Sequence, residues 1–288
     1  TAELFEGHCR DEFEVFAFSL GAAPEGDAYR DRIASACEHF IDASQMTDTA
    51  VIDMARSLGL DIAVDLAGHT MDARTTIFSQ RVAPIQINYL GYPGSMAAAY
   101  MDVILADDTV IAKGAESGYT ERVFRLPHTF QVNDSQRKIG LVQTRTHYGL
   151  PEEGLVFASF NTSYKLNPVL FDIWCRVLIS APGGVLWLLG ESEQQKENLV
   201  READARGISA GRLIFAERTS YEAHLARYAH VDLVLDTFPF NGGTSTSDAL
   251  WGGAPVLTCM GQAFASRMSA SLLRAANLQS LVTDTLPD

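Results

Sequence analysis

Short hydrophobic runs alternate along this chain with longer segments in which apolar residues recur at helical spacing. The short runs are typical of buried parallel strands, and the longer period indicates amphipathic helices. In the first part of the chain the pattern predicts strands at 13–19, 61–66, 85–89, 103–106 and 123–126. It predicts helices there at 29–37, 48–57 and 74–80.

The same alternation starts again after a polar stretch near residues 131–147. Strands are predicted at 155–160, 185–189, 213–215, 233–235 and 255–258, and helices at 168–180, 193–206, 221–228 and 265–276. Repeated strand–helix units form parallel sheets with helices on both faces. The sequence therefore predicts an α/β protein with two Rossmann-like domains, 1–135 and 136–288, and a ligand cleft at the carboxyl edges of their strands.

Composition and charge narrow the class of function. The formal net charge of -14 over 288 residues disfavours binding to a nucleic-acid backbone, which needs a basic surface. No apolar run is long enough to span a bilayer, and the four cysteines form no C-x-x-C pair. We therefore expect a cytoplasmic protein with no metal and no membrane partner. The pattern opens in mid-element at Thr1 and stops soon after a helix, so we expect truncation at both ends.

The segment 236–248 joins the end of a strand to two glycines, several hydroxyl residues and a predicted helix. Such a junction aims the N–H groups of a helix N-terminus at the sheet edge, where they bind anions, above all phosphate. Asp248 is a candidate acceptor for a ribose hydroxyl. The alternative is an ordinary capped helix, because Ser, Thr and Asp are also the best N-caps. The candidate phosphate-binding residues are Gly242, Gly243, Thr244, Ser245 and Thr246.

Three further side chains carry candidate chemistry. Lys165 follows the predicted strand 155–160, where a lysine can neutralise a diphosphate, although a lone lysine is more often solvated. His69 follows the predicted strand 61–66 and could orient a sugar hydroxyl or transfer a proton. His224 lies on a predicted helix, where a single histidine is more often packed or exposed.

Short ordered motifs run through the whole chain. They include DLAGHT at 65–70, APIQ at 83–86, YLGYPG at 89–94, LPHTF at 126–130, ALW at 249–251, GAPV at 253–256 and ASR at 265–267. Each motif is weak alone, but their number and order are specific. Together they resemble the catalytic region of the O-GlcNAc transferase family, which includes SPINDLY-like proteins and bacterial members.

The resemblance implies a GT-B fold and an inverting, metal-independent transfer of a sugar, GlcNAc first, from a UDP-sugar to Ser or Thr of proteins. It implies no cofactor, a protein or peptide acceptor, and tetratricopeptide repeats N-terminal to this region in the full chain. On family grounds Lys165 resembles the lysine that contacts the UDP phosphates, and it is the first candidate catalytic residue. His224 resembles the histidine beside uracil and ribose, and Asp248 the ribose-binding acid. Thr244 and Ser245 resemble the phosphate-binding hydroxyl pair.

His69, which the resemblance matches to a histidine of many bacterial members, is the second candidate catalytic residue. The sequence departs from the best-known eukaryotic pattern at Thr162, Gly243 and Tyr221. These departures leave glucose transfer to Asn or fucose transfer open as alternatives. Another alternative is a UDP-sugar epimerase or hydrolase, which needs carboxylates near the anomeric centre. Asp65 and Asp107 are the candidates for these carboxylates. The last alternative is a nucleotide-binding protein without turnover.

Overall fold

The computed structural model describes residues 1–22, 24 and 26–286. The chain divides into two compact units, Thr1–Gln136 and Arg137–Asp288. Both units are built from parallel strands and helices, as the alternating pattern predicts. Across the described ranges, we find no helix with the length and apolar character that crossing a bilayer requires.

The first unit contains two parallel sheets. A two-stranded sheet pairs β1 with β2, and a four-stranded sheet has the order β3-β4-β5-β6. The strands are β1 Phe16–Ser19, β2 His39–Asp42, β3 Ile62–Asp65, β4 Ile85–Asn88, β5 Val103–Ala106 and β6 Arg122–Arg125. The helices are α1 Ala2–Glu6, α2 Ala28–Ala36, α3 Asp48–Ser57 and α4 Thr76–Ser79.

Helix α3 illustrates how local sequence sets an element in this unit. Thr47 caps its N-terminus by accepting a 3.2 Å hydrogen bond from the backbone N–H of Ala50. Val51, Ile52 and Ala55 recur at helical spacing, and all three are buried. The helix therefore covers its apolar stripe in the core of the first unit, where Ala63 of β3 also lies.

The second unit is a six-stranded parallel sheet in the order β12-β11-β10-β7-β8-β9. This is the strand order of the doubly wound nucleotide-binding fold. The strands are β7 Val156–Ser159, β8 Val185–Leu189, β9 Leu213–Ala216, β10 Leu233–Leu235, β11 Val256–Cys259 and β12 Val282–Thr283. The helices are α5 Pro168–Ser180, α6 Glu193–Asp204, α7 Tyr221–Arg227, α8 Thr244–Trp251 and α9 Met268–Ala275.

Apolar side chains cover both faces of the second sheet. Leu186, Trp187 and Leu188 follow one another on β8, and each is at most 1% exposed. Consecutive buried residues on one strand require packing on both faces, which explains why the central strands read as continuous hydrophobic runs. Trp187 lies in one core cluster and its two neighbours lie in the other, on opposite sides of the sheet.

The order of the strands places β7 beside β10 in the middle of the sheet. From β7 the chain proceeds to β8 on one side, and from β10 it proceeds to β11 on the other. The loops that leave β7 and β10 therefore diverge at their carboxyl ends. Such a topological switch point is the usual ligand site of open parallel sheets.

Several predicted elements differ from the observed ones. β2 was not predicted, because only Phe40 and Ile41 are apolar between two charged or polar ends. The predicted helix 74–80 shortens to α4, after which Arg81 has a positive φ of 54°. The predicted helix 265–276 divides at Arg267, whose φ of -129° separates a 3-10 turn from α9. The sequence pattern also missed α1 and the two-residue strand β12.

The YLGYPG motif forms a tight connection after β4. Gly91 N–H donates to the carbonyl of Tyr89 at 2.8 Å, and Gly94 N–H donates to that of Tyr92 at 2.9 Å. Bonds between residues two apart are typical of γ-turns rather than of a type II turn. A Cβ at Gly91 would press against the backbone carbonyl of Leu66, so the loops after β3 and β4 meet at a position that only glycine fits.

We predict that Gly91→Ala lowers the free energy of unfolding by about 1–3 kcal/mol, because the added methyl group overpacks this contact. Urea unfolding followed by circular dichroism measures the change. Gly118→Ala is the matched control, since no atom lies within 4 Å of its added Cβ. Its effect is expected to stay within about 0.5 kcal/mol. Equal effects of the two substitutions would show that close contact with Leu66 does not make position 91 require glycine.

Candidate functional site

A buried carboxylate organises the loop that follows β10. Oδ1 of Asp236 accepts hydrogen bonds from the N–H groups of Thr237 at 2.8 Å and Gly242 at 2.7 Å. Its Oδ2 accepts from the hydroxyl of Thr258 at 2.7 Å. Complete burial raises the pKa of Asp236, and these hydrogen bonds act in the opposite direction. The carboxylate thus ties both ends of the loop 236–242 together immediately before α8.

The N-terminus of α8 is not capped by a side chain. Its N-cap is Gly243, which has no side chain to cap with, and the hydroxyl residues lie inside the helix. A Cβ at Gly242 would lie 2.5 Å from Oγ1 of Thr246 and 2.6 Å from Oγ of Ser245. Glycine at this position therefore lets the loop approach the first turn of the helix closely, and the helix N-terminus is presented at the sheet edge.

The three candidate hydroxyl residues in the first turn of α8 have different environments. Thr244 is exposed. Ser245 is half-buried, and its Oγ donates to Oδ1 of Asn161, on the loop after β7, at 2.8 Å. Thr246 is buried, with its Oγ1 2.7 Å from Oγ of Ser269. Thr244 and Ser245 are thus accessible to solvent, Ser245 in part, whereas Thr246 packs against α9.

Lys165 joins the two loops. Its Nζ donates to the carbonyl of Asn241 at 2.9 Å and to Oδ1 of Asn161 at 3.3 Å, and it lies 4.0 Å from the centre of the Phe240 ring. Burial lowers the pKa of Lys165, and the negative charge of Asp236 opposes that shift. The solvated lysine of the alternative interpretation is therefore wrong, because this ammonium group is held at the switch point beside the N-terminus of α8.

Asp248 lies on the second turn of α8 and does not cap it. Its side chain is 6% exposed, and its Oδ1 accepts from the hydroxyl of Tyr221 at 2.7 Å and from Nη1 of Arg137 at 3.1 Å. Burial raises the pKa of Asp248, while both partners act to lower it. Burial and the bond to Asp248 raise the pKa of Tyr221 to about 12. Sequence reasoning missed Arg137, which lies in a polar stretch and has no local motif.

His224 lies in the middle of α7 and is packed between aromatic rings. Its ring centroid lies 5.6 Å from that of Phe160 and 5.3 Å from that of Tyr228, with edge-on geometry in both pairs. Burial, followed by the positive charge of Arg227, lowers the pKa of His224 to about 4. The imidazole is therefore neutral at pH 7.

The first unit carries the other histidine candidate. Nε2 of His69 lies 3.1 Å from the carbonyl oxygen of Met96, and its exposed ring meets the edge of Tyr92 at 5.2 Å. Its catalytic role stays a prediction. Asp65, proposed for epimerase or hydrolase chemistry, instead accepts from two backbone N–H groups of the turn that follows it.

Asp107, the second carboxylate of that alternative, is buried and accepts from the backbone N–H groups of Thr109, Val110 and Phe130 at 2.6–2.9 Å. It organises the backbone around β5 as Asp65 does after β3. Among residues 1–22, 24 and 26–286, no three His, Cys, Asp or Glu side chains are grouped as metal ligands would be.

Comparison with known proteins identifies the family. The model of glycosyl transferase family 41 matches residues 3–140 and 135–288. Because the match covers nearly the whole chain, this protein belongs to glycosyl transferase family 41. The predicted family and the glycosyltransferase class are thereby confirmed.

Two curated relatives illustrate the match. A probable UDP-N-acetylglucosamine–peptide N-acetylglucosaminyltransferase of Arabidopsis thaliana is 34% identical over 281 residues, covering 96% of this chain and 29% of the relative. A UDP-N-acetylglucosamine–peptide N-acetylglucosaminyltransferase of Caenorhabditis elegans is 25% identical over 392 residues, covering 96% of this chain and 34% of the relative. The chain thus spans about a third of the length of these curated relatives.

Two solved structures support the fold. A mutant O-GlcNAc transferase of Thermobaculum terrenum superposes with a TM-score of 0.89 and 30% identity, covering 99% of this chain and 54% of that one. HepE of Anabaena, solved with UDP and glucose, superposes with a TM-score of 0.56 and 11% identity, covering 92% of this chain and 89% of that one. This likeness supports the fold alone. The predicted GT-B class, with Rossmann-like parallel sheets, is confirmed.

We predict that the imidazole of His224 titrates near pH 4 in the folded protein, because burial beside Arg227 disfavours its charged form. Proton NMR of the histidine Cε1–H signals, with a His224→Gln variant for assignment, measures the midpoint. The same histidine in the urea-unfolded protein is the control and should titrate near about 6.5. A midpoint of about 6.5 in the folded state would show that the ring is solvated.

Proposed function

We propose that this chain is the catalytic region of a glycosyltransferase that moves GlcNAc from UDP-GlcNAc to Ser or Thr hydroxyls of proteins. The observation that carries the proposal is the ammonium group of Lys165, held by Asn161 and Asn241 beside the N-terminus of α8. A desolvated cation and a helix N-terminus that converge on one point form an anion site. The names of the curated relatives support the donor and the peptide acceptor.

The donor nucleotide would extend along the carboxyl edge of the second sheet. Lys165, the backbone around Gly242 and Gly243, and the first turn of α8 would bind the diphosphate. Thr244 and Ser245 would add hydroxyl donors, with Thr246 supporting the turn from behind. The Asp248 carboxylate would accept from the ribose hydroxyls, and the neutral ring of His224 would lie beside the ribose and uracil.

The reaction we propose is a direct displacement with inversion at the anomeric carbon. The acceptor hydroxyl oxygen forms the new bond as the bond to the β-phosphate oxygen breaks, and that electron pair leaves with UDP. The hydroxyl proton passes to the departing phosphate or to water. Lys165 and the N-terminus of α8 would stabilise the growing charge, and a preorganised donor of this kind is worth about 10²–10³ in rate.

The diphosphate charge would be neutralised by protein groups, so we propose that transfer needs no metal ion and no cofactor. His69 would orient a hydroxyl from the first unit. We further propose that the full protein is cytoplasmic, that it carries N-terminal tetratricopeptide repeats for acceptor proteins, and that neither nucleic acid nor membrane is its partner. The net charge of -14 fits the exclusion of nucleic acid.

A second candidate keeps the site and changes the donor sugar. Gly243 presents no side chain at the N-cap of α8, and the hydroxyl of Tyr221 is bound to Asp248. These positions and Thr162 depart from the eukaryotic pattern that the motifs otherwise follow. Glucose transfer to Asn, or fucose transfer, is the alternative function that these differences leave open.

We predict that Lys165→Ala lowers turnover with UDP-GlcNAc and a peptide acceptor by at least about tenfold with the fold intact, because it removes the cation at the leaving diphosphate. Mass spectrometry of the peptide measures turnover, and circular dichroism checks the fold. Lys113→Ala is the matched control, because Lys113 is an exposed lysine of the first unit. Unchanged turnover in Lys165→Ala would remove Lys165 from the active site.

A further inference from the structure

Arg137 forms a buried ion pair with the proposed ribose-binding carboxylate. Its Nη1 donates to Oδ1 of Asp248 at 3.1 Å and to Oγ of Ser247 at 3.0 Å. The side chain of Arg137 is 8% exposed and that of Asp248 is 6% exposed. Because solvent screens this pair poorly, the two charges interact far more strongly than a surface pair does.

The position of Arg137 is fixed by more than the ion pair. Its guanidinium carbon lies 4.6 Å from the ring centroid of Trp251, and the indole N–H of Trp251 donates to the Arg137 carbonyl at 3.1 Å. One tryptophan at the end of α8 thus holds both the side chain and the main chain of Arg137. The guanidinium is therefore presented to Asp248 in one orientation.

The pair determines what Asp248 can do chemically. An ionised carboxylate only accepts hydrogen bonds, whereas a protonated carboxyl group also donates one. The protonated group is therefore a weaker acceptor for the hydrogen of a hydroxyl group. Burial favours the protonated form and raises the pKa of Asp248, and the charge of Arg137 opposes this shift. The hydroxyl of Tyr221, which donates to the same oxygen, helps to fix the direction of the carboxylate.

We propose that Arg137 is a positioning residue for nucleoside recognition, which holds the Asp248 carboxylate ionised and oriented for the ribose hydroxyls of the donor. This inference rests on the proposed function, because it assumes that the second unit binds a UDP-sugar. Arg137 acts through Asp248 and not on the diphosphate. Its removal therefore affects ligands that contain ribose and spares those that do not.

The test is calorimetric titration of each variant with UDP and with inorganic pyrophosphate, which lacks the nucleoside. Arg137→Met should weaken UDP binding by about tenfold or more, because it leaves the buried carboxylate without its charged partner. Pyrophosphate binding should stay within about twofold of the wild type, since distant sites are nearly independent. The matched control is Lys138→Met, which removes the adjacent, exposed cation and should change neither affinity.

A double-mutant cycle distinguishes positioning from a general effect on stability. If Arg137 acts through Asp248, adding Arg137→Met to Asp248→Asn should weaken UDP binding by less than about twofold. Arg137→Lys keeps a cation near the carboxylate and should recover part of the UDP affinity without changing pyrophosphate binding. If Arg137→Met does not fold, the comparison of UDP with pyrophosphate is made on Arg137→Lys instead.

Two results would overturn the role of Arg137. Equal losses of UDP and pyrophosphate affinity in Arg137→Met and Arg137→Lys would assign Arg137 a purely structural role. Unchanged or tighter UDP binding would show that the arginine is dispensable or obstructs the carboxylate. Failure of the proposed function is a separate outcome, seen in the wild-type protein as binding of neither UDP nor pyrophosphate.

Discussion

The hydrogen bond from the Gly242 N–H to the buried carboxylate of Asp236 is the constraint on which the candidate site depends. It closes the loop after β10, and the hydroxyl of Ser269 donates to the carbonyl of the same glycine at 2.8 Å. Both backbone groups of Gly242 are therefore fixed. α8 consequently begins at one defined point, and Asn241 offers its carbonyl to Lys165.

Burial gives the charged groups of this unit their chemistry. Lys165 and Asp248 both have pKa values shifted toward the neutral form, and each is held by specific partners that favour its charge. Among the described residues, no partner favours the charge of His224 in its aromatic surroundings, and its pKa falls to about 4. One parallel sheet therefore carries a cation, an anion and a neutral ring, which the proposed function assigns to phosphate, hydroxyl groups and a flat base.

The sequence predicts elements well where the hydrophobic period is strong and long. The predicted helix 168–180 and strand 185–189 coincide with α5 and β8, because each has a continuous buried stripe or run. It fails at β2, which is half-buried and has only two central apolar residues. Pairing with β1 stabilises that strand, and such pairing is not visible in a local pattern.

The candidate site shows the same division. The glycines and hydroxyl residues of 242–246 form one contiguous motif, so their helix N-terminus was predictable. The alternative of an ordinary capped helix is wrong, because the N-cap is Gly243, which has no side chain. The pairing of Asp248 with Arg137 joins residues 111 positions apart and carries no sequence signature.

Calorimetric titration of the wild-type protein with UDP in the presence of EDTA tests whether the β7–β10 edge binds the donor nucleotide without a metal ion. UDP-GlcNAc, UDP-glucose and GDP-fucose follow as competing donors. We expect one UDP site that needs no metal, with UDP-GlcNAc preferred among the three sugars. A preference for another sugar would keep the site and change the donor. Binding of no nucleotide at all would contradict the assignment of the β7–β10 edge as a donor site.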